Sequence, residues 1–184
     1  FNGLYIKLEK RLKFELLSFN YFHYKVGFLK GSTNPTKNGI LNNYGKVKYE
    51  AFSISFNKNL LNNRFLPTQG NLILFETDIG ISNKAIYANT LFNYNKYFSM
   101  NNLFYWNLIV HSEGVNILNS KVPISRYKKF GGYSTLRGYD DNQFESTQFS
   151  ISTIEFNYIL NFNSHPFLFM DIASKKINIF DKNM

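Results

Sequence analysis

Residues 149–160 read FSISTIEFNYIL, and this stretch decides the fold because apolar and polar side chains alternate along it. Ile154 and Phe156 fall on one side, whereas Thr153 and Glu155 fall on the other. Side chains of a β-strand point to opposite faces with a period of two, while a helix needs apolar residues every three or four positions. The stretch therefore predicts a β-strand with one apolar and one polar face.

The same alternation recurs along the chain, whereas helical periodicity is poor. Strands are predicted at residues 3–12, 14–28, 48–59, 70–80, 85–97, 103–114, 149–160 and 166–173. These are about eight strands, each close to the 9–11 residues with which a tilted strand crosses a bilayer. The sequence thus predicts an all-β, antiparallel fold.

The connections between these segments differ in length. Short links lie near residue 13 and at 60–69, 81–83, 99–102 and 161–165, and long links lie at 29–47 and 115–148, the first with a loop-like stretch at 31–43. Short and long links roughly alternate, as in outer-membrane barrels with tight turns on one side and long loops on the other. The link at 81–83 is an exception, because it is short on the side of the long loops.

Composition narrows the class of protein. The chain has 184 residues, no cysteine, a net charge of +9 and 18% aromatic residues. The lack of cysteine excludes disulfides and thiolate metal sites, and no run of about 18 apolar residues predicts a transmembrane helix. The lysines are scattered among asparagines, which argues against nucleic acid as a partner. The chain begins at Phe1 inside a patterned segment, and we interpret it as a fragment.

A soluble antiparallel sandwich would also alternate apolar and polar residues, so the pattern alone leaves that alternative open. Two observations favour a membrane barrel: acidic residues recur on the polar face in mid-strand, and aromatic residues gather near strand ends, where aromatic girdles lie. The acidic residues are Glu76, Asp78, Glu155 and Asp171. The residues that we expect to face lipid are Phe52, Ile54, Phe75, Trp106, Phe156 and Tyr158.

The segment between two of the predicted strands carries a distinctive motif. Residues 130–144 read FGGYSTLRGYDDNQF. They resemble the hallmark of the BamA/TamA family of outer-membrane protein assembly factors, also called the bacterial surface antigen family. In that family a Gly-Gly element precedes an aliphatic-Arg-Gly-aromatic motif in the long sixth external loop. The matching residues are Gly131, Gly132, Leu136, Arg137, Gly138 and Tyr139.

Three further stretches resemble the family in the expected order. Residues 63–70, NRFLPTQG, are similar to a periplasmic turn with a Pro-x-x-Gly element. Residues 152–156, STIEF, resemble the strand after the loop, which carries an inward glutamate, and residues 169–171, FMD, resemble the Phe-x-Asp motif on the next strand. The resemblance covers essentially the whole chain, most clearly residues 48–173. Thr153 departs from it, because many members have glycine there, and the loop is comparatively short.

The resemblance implies that residues 1–184 are a partial C-terminal membrane barrel domain. They would supply about eight consecutive strands of a sixteen-stranded antiparallel transmembrane barrel in the bacterial outer membrane, and residues 115–148 would form a long loop that folds inward. Nothing in the chain resembles the periplasmic repeat domains of the family or the last strands of its barrel. We expect these parts to lie outside this fragment.

The chemistry of the motif follows from its residues. Arg137 lies in a loop long enough to fold back into a wide barrel, and a guanidinium grips carboxylates bidentately and stays charged. Strand parity puts Glu155 on the polar face, and Asp171 lies on the adjacent strand. In the family, such acidic residues hold the equivalent arginine inside the barrel, and the resemblance carries this role to these three residues. Gly138 lets the backbone turn beside the arginine. Bracing of the loop, without chemistry, is the favoured interpretation.

The resemblance implies a protein that folds and inserts β-barrel proteins into the outer membrane. Its partners would be outer-membrane lipid, unfolded β-barrel clients and accessory assembly lipoproteins. One alternative is a family member that secretes a single partner polypeptide through its pore, and upstream periplasmic repeats would distinguish it. Another is a general porin or a soluble sandwich, in which Arg137 should be dispensable and exposed.

The sequence offers no active site. His23, His111 and His165 are far apart, and no metal-ligand spacing, nucleophile elbow, P-loop or dinucleotide motif is present. His111 and Glu113 share a strand face and form at most a weak surface metal site. We expect no catalytic residue, no metal and no cofactor.

Overall fold

The computed structural model describes residues 2–12, 15–26, 47–82, 85–118, 121–161 and 164–177. The loop predicted at residues 31–43 lies outside them. In chain order the strands are β1 (Asn2–Leu12), β2 (Glu15–Val26), β3 (Val47–Asn59), β4 (Gly70–Ser82), β5 (Ala85–Ser99), β6 (Phe104–Ile117), β7 (Lys128–Phe130), β8 (Phe144–Ser146), β9 (Gln148–Tyr158) and β10 (Phe167–Lys176). A short 3-10 helix, Ile124–Arg126, lies between β6 and β7.

Eight of these strands form one antiparallel sheet in the order β1-β2-β3-β4-β5-β6-β9-β10, and β7 pairs with β8 in a separate hairpin. The sheet strands are 10 to 15 residues long. The all-β, antiparallel fold is therefore confirmed. No helix among the described residues combines the length and the apolar character needed to span a membrane.

The observed strands agree closely with the predicted ones, except around residues 115–148, where no clear strand pattern was visible. β6 continues through this segment's start to Ile117, and the hairpin of β7 and β8 lies inside it. Each hairpin strand has three residues, which is too few to display a period of two.

The register assigns the sheet residues to two faces. Phe52 lies opposite Ile79, and Trp106 lies opposite Phe156. Following such partners across the sheet places all six predicted lipid-facing residues on one side, here called the outer face. Ile79 is 55% exposed there and Leu168 is 76% exposed. A soluble sandwich would bury such a face against a second sheet, and the described strands form no second large sheet.

The opposite side, the inner face, is polar. It carries all the acidic residues singled out in the sequence, namely Glu76, Asp78, Glu155 and Asp171. Neighbouring strands satisfy these polar groups: Asn89 Nδ2 donates to Asp78 Oδ2 at 2.8 Å, and the hydroxyls of Ser18 and Ser55 are 2.6 Å apart. Such pairing across strands lets a polar wall persist without costly unsatisfied groups.

The apolar band on the outer face runs obliquely across the strands. It is centred on Ile6 in β1 and on Met170 in β10. The row of register partners through Ile6 reaches Ile79 in β4, whereas the row through Met170 reaches Asn71, eight residues away. This offset of eight residues over seven strand-to-strand steps is about 1.1 residues per strand. With ~3.3 Å per residue and ~4.8 Å between strands, the offset corresponds to a strand tilt of about 38°. Strands of membrane barrels tilt by about 35–45°.

Ile54→Arg is expected to lower the free energy of unfolding by about 2–4 kcal/mol, because it places a charge near the centre of the apolar band. Ser53→Arg is the matched control, since Ser53 lies on the inner face opposite Asp78. Urea unfolding of the full-length protein in lipid vesicles measures both variants. Equal destabilisation by the two substitutions would contradict the assignment of the faces.

Candidate functional site

The described part of the segment that connects β6 to β9, here called the inner loop (residues 118 and 121–147), lies against the inner face. Phe130 and Leu136 of the loop form a buried cluster with Phe149 and Ile151, which belong to the inner face of β9. The rings of Phe130 and Phe149 stack with their centroids 4.5 Å apart. Each fully buried apolar side chain contributes about 1.5–3 kcal/mol, so this cluster holds the loop on the sheet.

Two glycines shape the turn that precedes the arginine. Gly131 and Gly132 have φ angles of +121° and +93°, where other residues are strained. A β-carbon at Gly132 would overlap the carboxylate of Asp141, and one at Gly131 would lie 2.6 Å from the Asp140 carbonyl oxygen. The Thr135 hydroxyl closes the turn with 2.9 Å hydrogen bonds to the Gly131 N–H and carbonyl. The turn therefore requires both glycines.

Arg137 and Asp171 form the centre of the site. Nε of Arg137 donates to Oδ2 of Asp171 at 3.0 Å, and Nη2 donates to Oδ1 at 2.7 Å, so the pair is bidentate. The backbone N–H of Arg137 donates to Oδ2 at 3.1 Å, and Thr153 Oγ1 donates to Oδ1 at 2.7 Å. The carboxylate thereby fixes both the guanidinium and the loop backbone through charge-assisted hydrogen bonds.

Glu155 binds the other end of the guanidinium. Nη1 of Arg137 donates to its Oε1 at 2.6 Å, and Oε2 accepts a hydrogen bond from Asn107 Nδ2 at 3.1 Å. Asn157 Nδ2 in turn donates to Asn107 Oδ1 at 3.0 Å, and both asparagines are buried. This chain of hydrogen bonds across β6 and β9 orients the glutamate toward the arginine.

The guanidinium of Arg137 lies over the aromatic ring of Phe169. Cζ of Arg137 lies 3.6 Å from the centroid of the Phe169 ring and 5.7 Å from that of Phe167. A cation over an aromatic face gains about 0.5–2 kcal/mol, depending on how far it is removed from water. Phe169 is also the register partner of Glu155. The strands β9 and β10 therefore supply both the acidic and the aromatic part of the receptor.

The site is largely closed to water, since the side chains of Arg137 and Asp171 are 13% and 5% exposed. The hydrogen bonds to Asp171 raise the pKa of Arg137 above its ordinary value; burial opposes this shift, and the hydrogen bond to Glu155 adds to it. The arginine therefore remains charged at every physiological pH. One cation faces two carboxylates, an arrangement suited to holding a loop rather than transferring a proton.

The remaining motif residues have different surroundings. Leu136 is buried in the cluster under the loop. Gly138 has a φ of +86°, with no atom within 4 Å of an added β-carbon. Tyr139 is half exposed, and its ring meets the ring of Phe144 edge-on at 4.9 Å. The structure thus brings Arg137 together with both carboxylates, while the other motif residues shape and cover the turn.

Three residues of this arrangement received no role in the sequence-based interpretation. Thr153, the departure from the family pattern, donates to Asp171. Asn107 orients Glu155, and only the strand register reveals that it lies opposite that residue. Phe169 belongs to the Phe-x-Asp match at residues 169–171, so the motif could have identified it.

A cavity of about 450 Å³ lies beneath the tip of the inner loop. The turn between β3 and β4, including Phe65 and Pro67, borders it on one side, and Arg137 borders it on another. Polar residues contribute to the rest of the lining, among them Tyr97, Tyr105, Asn107, Asn157 and His165. The arginine site therefore lies at the edge of an open space on the inner face.

His111 and Glu113 interact, but their surroundings do not form a metal site. His111 Nε2 is 3.2 Å from Glu113 Oε1, and the other ring nitrogen is hydrogen bonded to Asn93. Within the described ranges, no three His, Cys, Asp or Glu residues are grouped in a way that would hold a metal ion. The side chain of His23 lies outside the described part of the chain.

A comparison with known families agrees with the fold and with the motif. Residues 6–176 match the Omp85 superfamily domain. The chain belongs to the Omp85 superfamily. This confirms the family that residues 130–144 indicate, because the superfamily includes the BamA/TamA factors. Omp85 proteins are β-barrels of the bacterial outer membrane that insert outer-membrane proteins or secrete polypeptides, and they are not enzymes. No curated protein sequence matches the chain significantly.

Asp171→Asn is expected to destabilise this Omp85 barrel more than the matched change Glu155→Gln. Asp171 accepts three of the four hydrogen bonds that Arg137 donates to the carboxylates. We expect a loss of about 2–4 kcal/mol for the aspartate change and about 1 kcal/mol for the glutamate change. Equilibrium unfolding in vesicles measures the free energy of unfolding of both variants. A larger loss for Glu155→Gln would show that the number of hydrogen bonds does not determine the contribution of each carboxylate.

Gly132→Ala is expected to displace the motif turn, because the new methyl group would overlap the Asp141 carboxylate and lie 3.0 Å from the Asp141 Cα, a backbone atom that cannot rotate away. Gly138→Ala is the matched control: it has a similar φ but open space, so it costs only the backbone strain of about 1–2 kcal/mol. Protease protection of the inner loop in outer membranes measures the displacement. Equal protection of the two variants would contradict a steric role for Gly132.

Proposed function

We propose that this Omp85 chain belongs to an outer-membrane protein assembly factor, which folds β-barrel proteins and inserts them into the outer membrane. The observation that carries the proposal is the seating of the motif loop, with Leu136 buried against β9 and Arg137 bound to Asp171 and Glu155. The resemblance to the BamA/TamA factors implies this same arrangement. The motif and its receptor thus support membership of the family to which these factors belong, and the assembly function is our proposal within that family.

The physical basis of such an activity is strand pairing. Hydrocarbon cannot hydrogen bond with a backbone, so each unpaired N–H or C=O group in the bilayer costs several kcal/mol. An accessible strand edge presents a row of such groups to which a client strand can pair. The client then enters the membrane with its backbone satisfied. No covalent step is needed, and we propose no catalytic residue, metal or cofactor.

In this proposal the inner loop braces the barrel wall. Arg137 binds β9 through Glu155 and β10 through Asp171, so a single side chain links two neighbouring strands from the inside. A wall held in this way keeps its register while another part of the barrel opens for a client. The residues of the motif therefore act by positioning.

The same proposal defines the surroundings of the chain. Residues 1–184 would be a partial barrel domain of about eight strands out of sixteen, with residues 115–148 as its inward-folding loop, and periplasmic repeat domains and the last strands would lie elsewhere in the protein. The apolar outer face supports outer-membrane lipid as one partner. Unfolded barrel clients and accessory assembly lipoproteins are the others, and nucleic acid is not among them.

A transporter that secretes one partner polypeptide is the second candidate, and the cavity beneath the loop favours it. Its lining includes Asn107, Asn157 and His165, which suit an extended polypeptide in an aqueous passage. Arg137 would have to leave its receptor to let such a chain through. A general porin is less well supported, because an arginine bound by two carboxylates is neither exposed nor loosely held.

Reconstitution tests the proposed function. The full-length protein is placed in lipid vesicles, and a urea-unfolded, eight-stranded outer-membrane barrel is added as client. We expect the client to acquire heat-modifiable electrophoretic mobility at least about tenfold faster than in empty vesicles, which corresponds to a barrier lower by about 1.4 kcal/mol.

Empty vesicles and the Arg137→Ala variant are the controls, and the variant is expected to insert the client more slowly because its loop is unbraced. A client that folds no faster than in empty vesicles would contradict the assembly function. Release of a polypeptide encoded beside the gene, without any gain in client folding, would support the transporter instead.

A further inference from the structure

We infer that a second set of contacts seats the inner loop, in which Arg126 and Lys128 are positioning residues for Arg137. Both lie near the start of the loop, and each meets a receptor on a different strand. Tyr87 of β5 receives Arg126, and Glu113 of β6 receives Lys128. This inference concerns how the loop is held, and it applies equally to an assembly factor and to a transporter.

The first receptor is the ring of Tyr87, which packs directly against Gly80 of the neighbouring strand. Cζ of Arg126 lies 4.6 Å from the centroid of the Tyr87 ring, within the range of a cation–π contact. Tyr87 is 2% exposed, and its register partner is Gly80 of β4. A β-carbon at Gly80 would overlap the phenol ring and its hydroxyl. The ring is therefore sandwiched between the β4 backbone and the guanidinium, in a space that only glycine leaves open.

The second receptor is a carboxylate held by its neighbours. Lys128 Nζ is 3.2 Å from Glu113 Oε2, and Glu113 Oε1 is 3.2 Å from His111 Nε2. Asn93 of β5 binds the other nitrogen of His111. These side chains are partly buried, so water screens their interaction less than it screens a fully exposed ion pair. Residues of β5 and β6 thus orient the glutamate that binds the lysine.

These contacts influence Arg137 through the length of free chain between them. Arg137 lies 20 positions beyond Ile117, the end of β6, but only nine positions beyond Lys128. In a loop with no other contact, holding Lys128 would raise the local concentration of the guanidinium at its receptor by roughly threefold, because closure probability falls as about the 3/2 power of length. Phe130, which packs against Phe149 and Ile151, lies between Lys128 and Arg137 and restricts this segment further. The loop is consequently bound to β5, β6, β9 and β10 in succession.

The test uses a cysteine at Leu136, beside Arg137, as a reporter of loop seating. This chain contains no cysteine, and Leu136 is buried. The full-length Leu136→Cys protein, free of other cysteines, is treated in outer membranes with a bulky maleimide. We expect Lys128→Glu to increase the labelling rate by about threefold or more, because the loop opens more often when the ion pair is replaced by two like charges. Adding Glu113→Lys is expected to restore the slow rate, because the ion pair is re-formed in reverse.

The glycine supplies an independent arm with a matched control. Gly80→Ala is expected to displace Tyr87 and to speed labelling in the same way. Gly114→Ala lies on the outer face, where an added β-carbon meets only side-chain atoms, Thr90 Oγ1 at 2.9 Å and Gln148 Cγ at 3.3 Å. This control is expected to leave the rate unchanged.

Heat-modifiable mobility identifies the variants that fold. An unchanged rate in folded Lys128→Glu, or a fast rate that Glu113→Lys does not reverse, overturns the inference. If Gly80→Ala does not fold, Tyr87→Leu replaces it, because it removes the ring without adding atoms at β4. Faster labelling in that variant supports the inference, and an unchanged rate overturns it. Since the readout is loop seating, failure of the proposed insertion activity leaves this result unaffected.

Discussion

A strand that crosses a bilayer must pair its backbone N–H and C=O groups with neighbouring strands, because hydrocarbon supplies no water to bind them. The rest of this structure depends on that constraint. It keeps eight long strands in one continuous ladder, and the pleat of the ladder sends alternate side chains to opposite faces. Because only one face meets lipid, the other can be polar. Arg137 and its two carboxylates can therefore be held on the inside, whereas charges on the outer face would be costly.

Much of this arrangement is visible in the sequence, because alternation is a local property of a strand. The pattern of residues 149–160 predicts β9 and, through parity, places Glu155 on the same face as Thr153. The stretch 85–97, rich in tyrosine and asparagine, predicts β5 less clearly, because its apolar and polar residues alternate less regularly. The motif around Arg137 adds the family, which no periodicity reveals, and with it the expectation that two carboxylates on adjacent strands receive the arginine.

Other features depend on register and on the path of the inner loop, which local patterns do not contain. Asn107 lies opposite Glu155 only because β6 pairs with β9 across an intervening hairpin. The strands β7 and β8 are too short to show a period. Lys128 meets Glu113 because the loop turns back over β6. The sequence does not distinguish Gly80 from other glycines in strands, because only the structure shows the ring of Tyr87 that lies over it.

The receptor for Arg137 is divided between two strands, and this has a consequence for the order of folding. Glu155 and Asp171 come within reach of one guanidinium only after β9 and β10 have paired, with Thr153 opposite Asp171. A slip of one residue would turn Asp171 toward the lipid and leave the arginine with half of its partners. Docking of the arginine therefore follows the pairing of β9 with β10, and it stabilises only the correct alignment of these two strands.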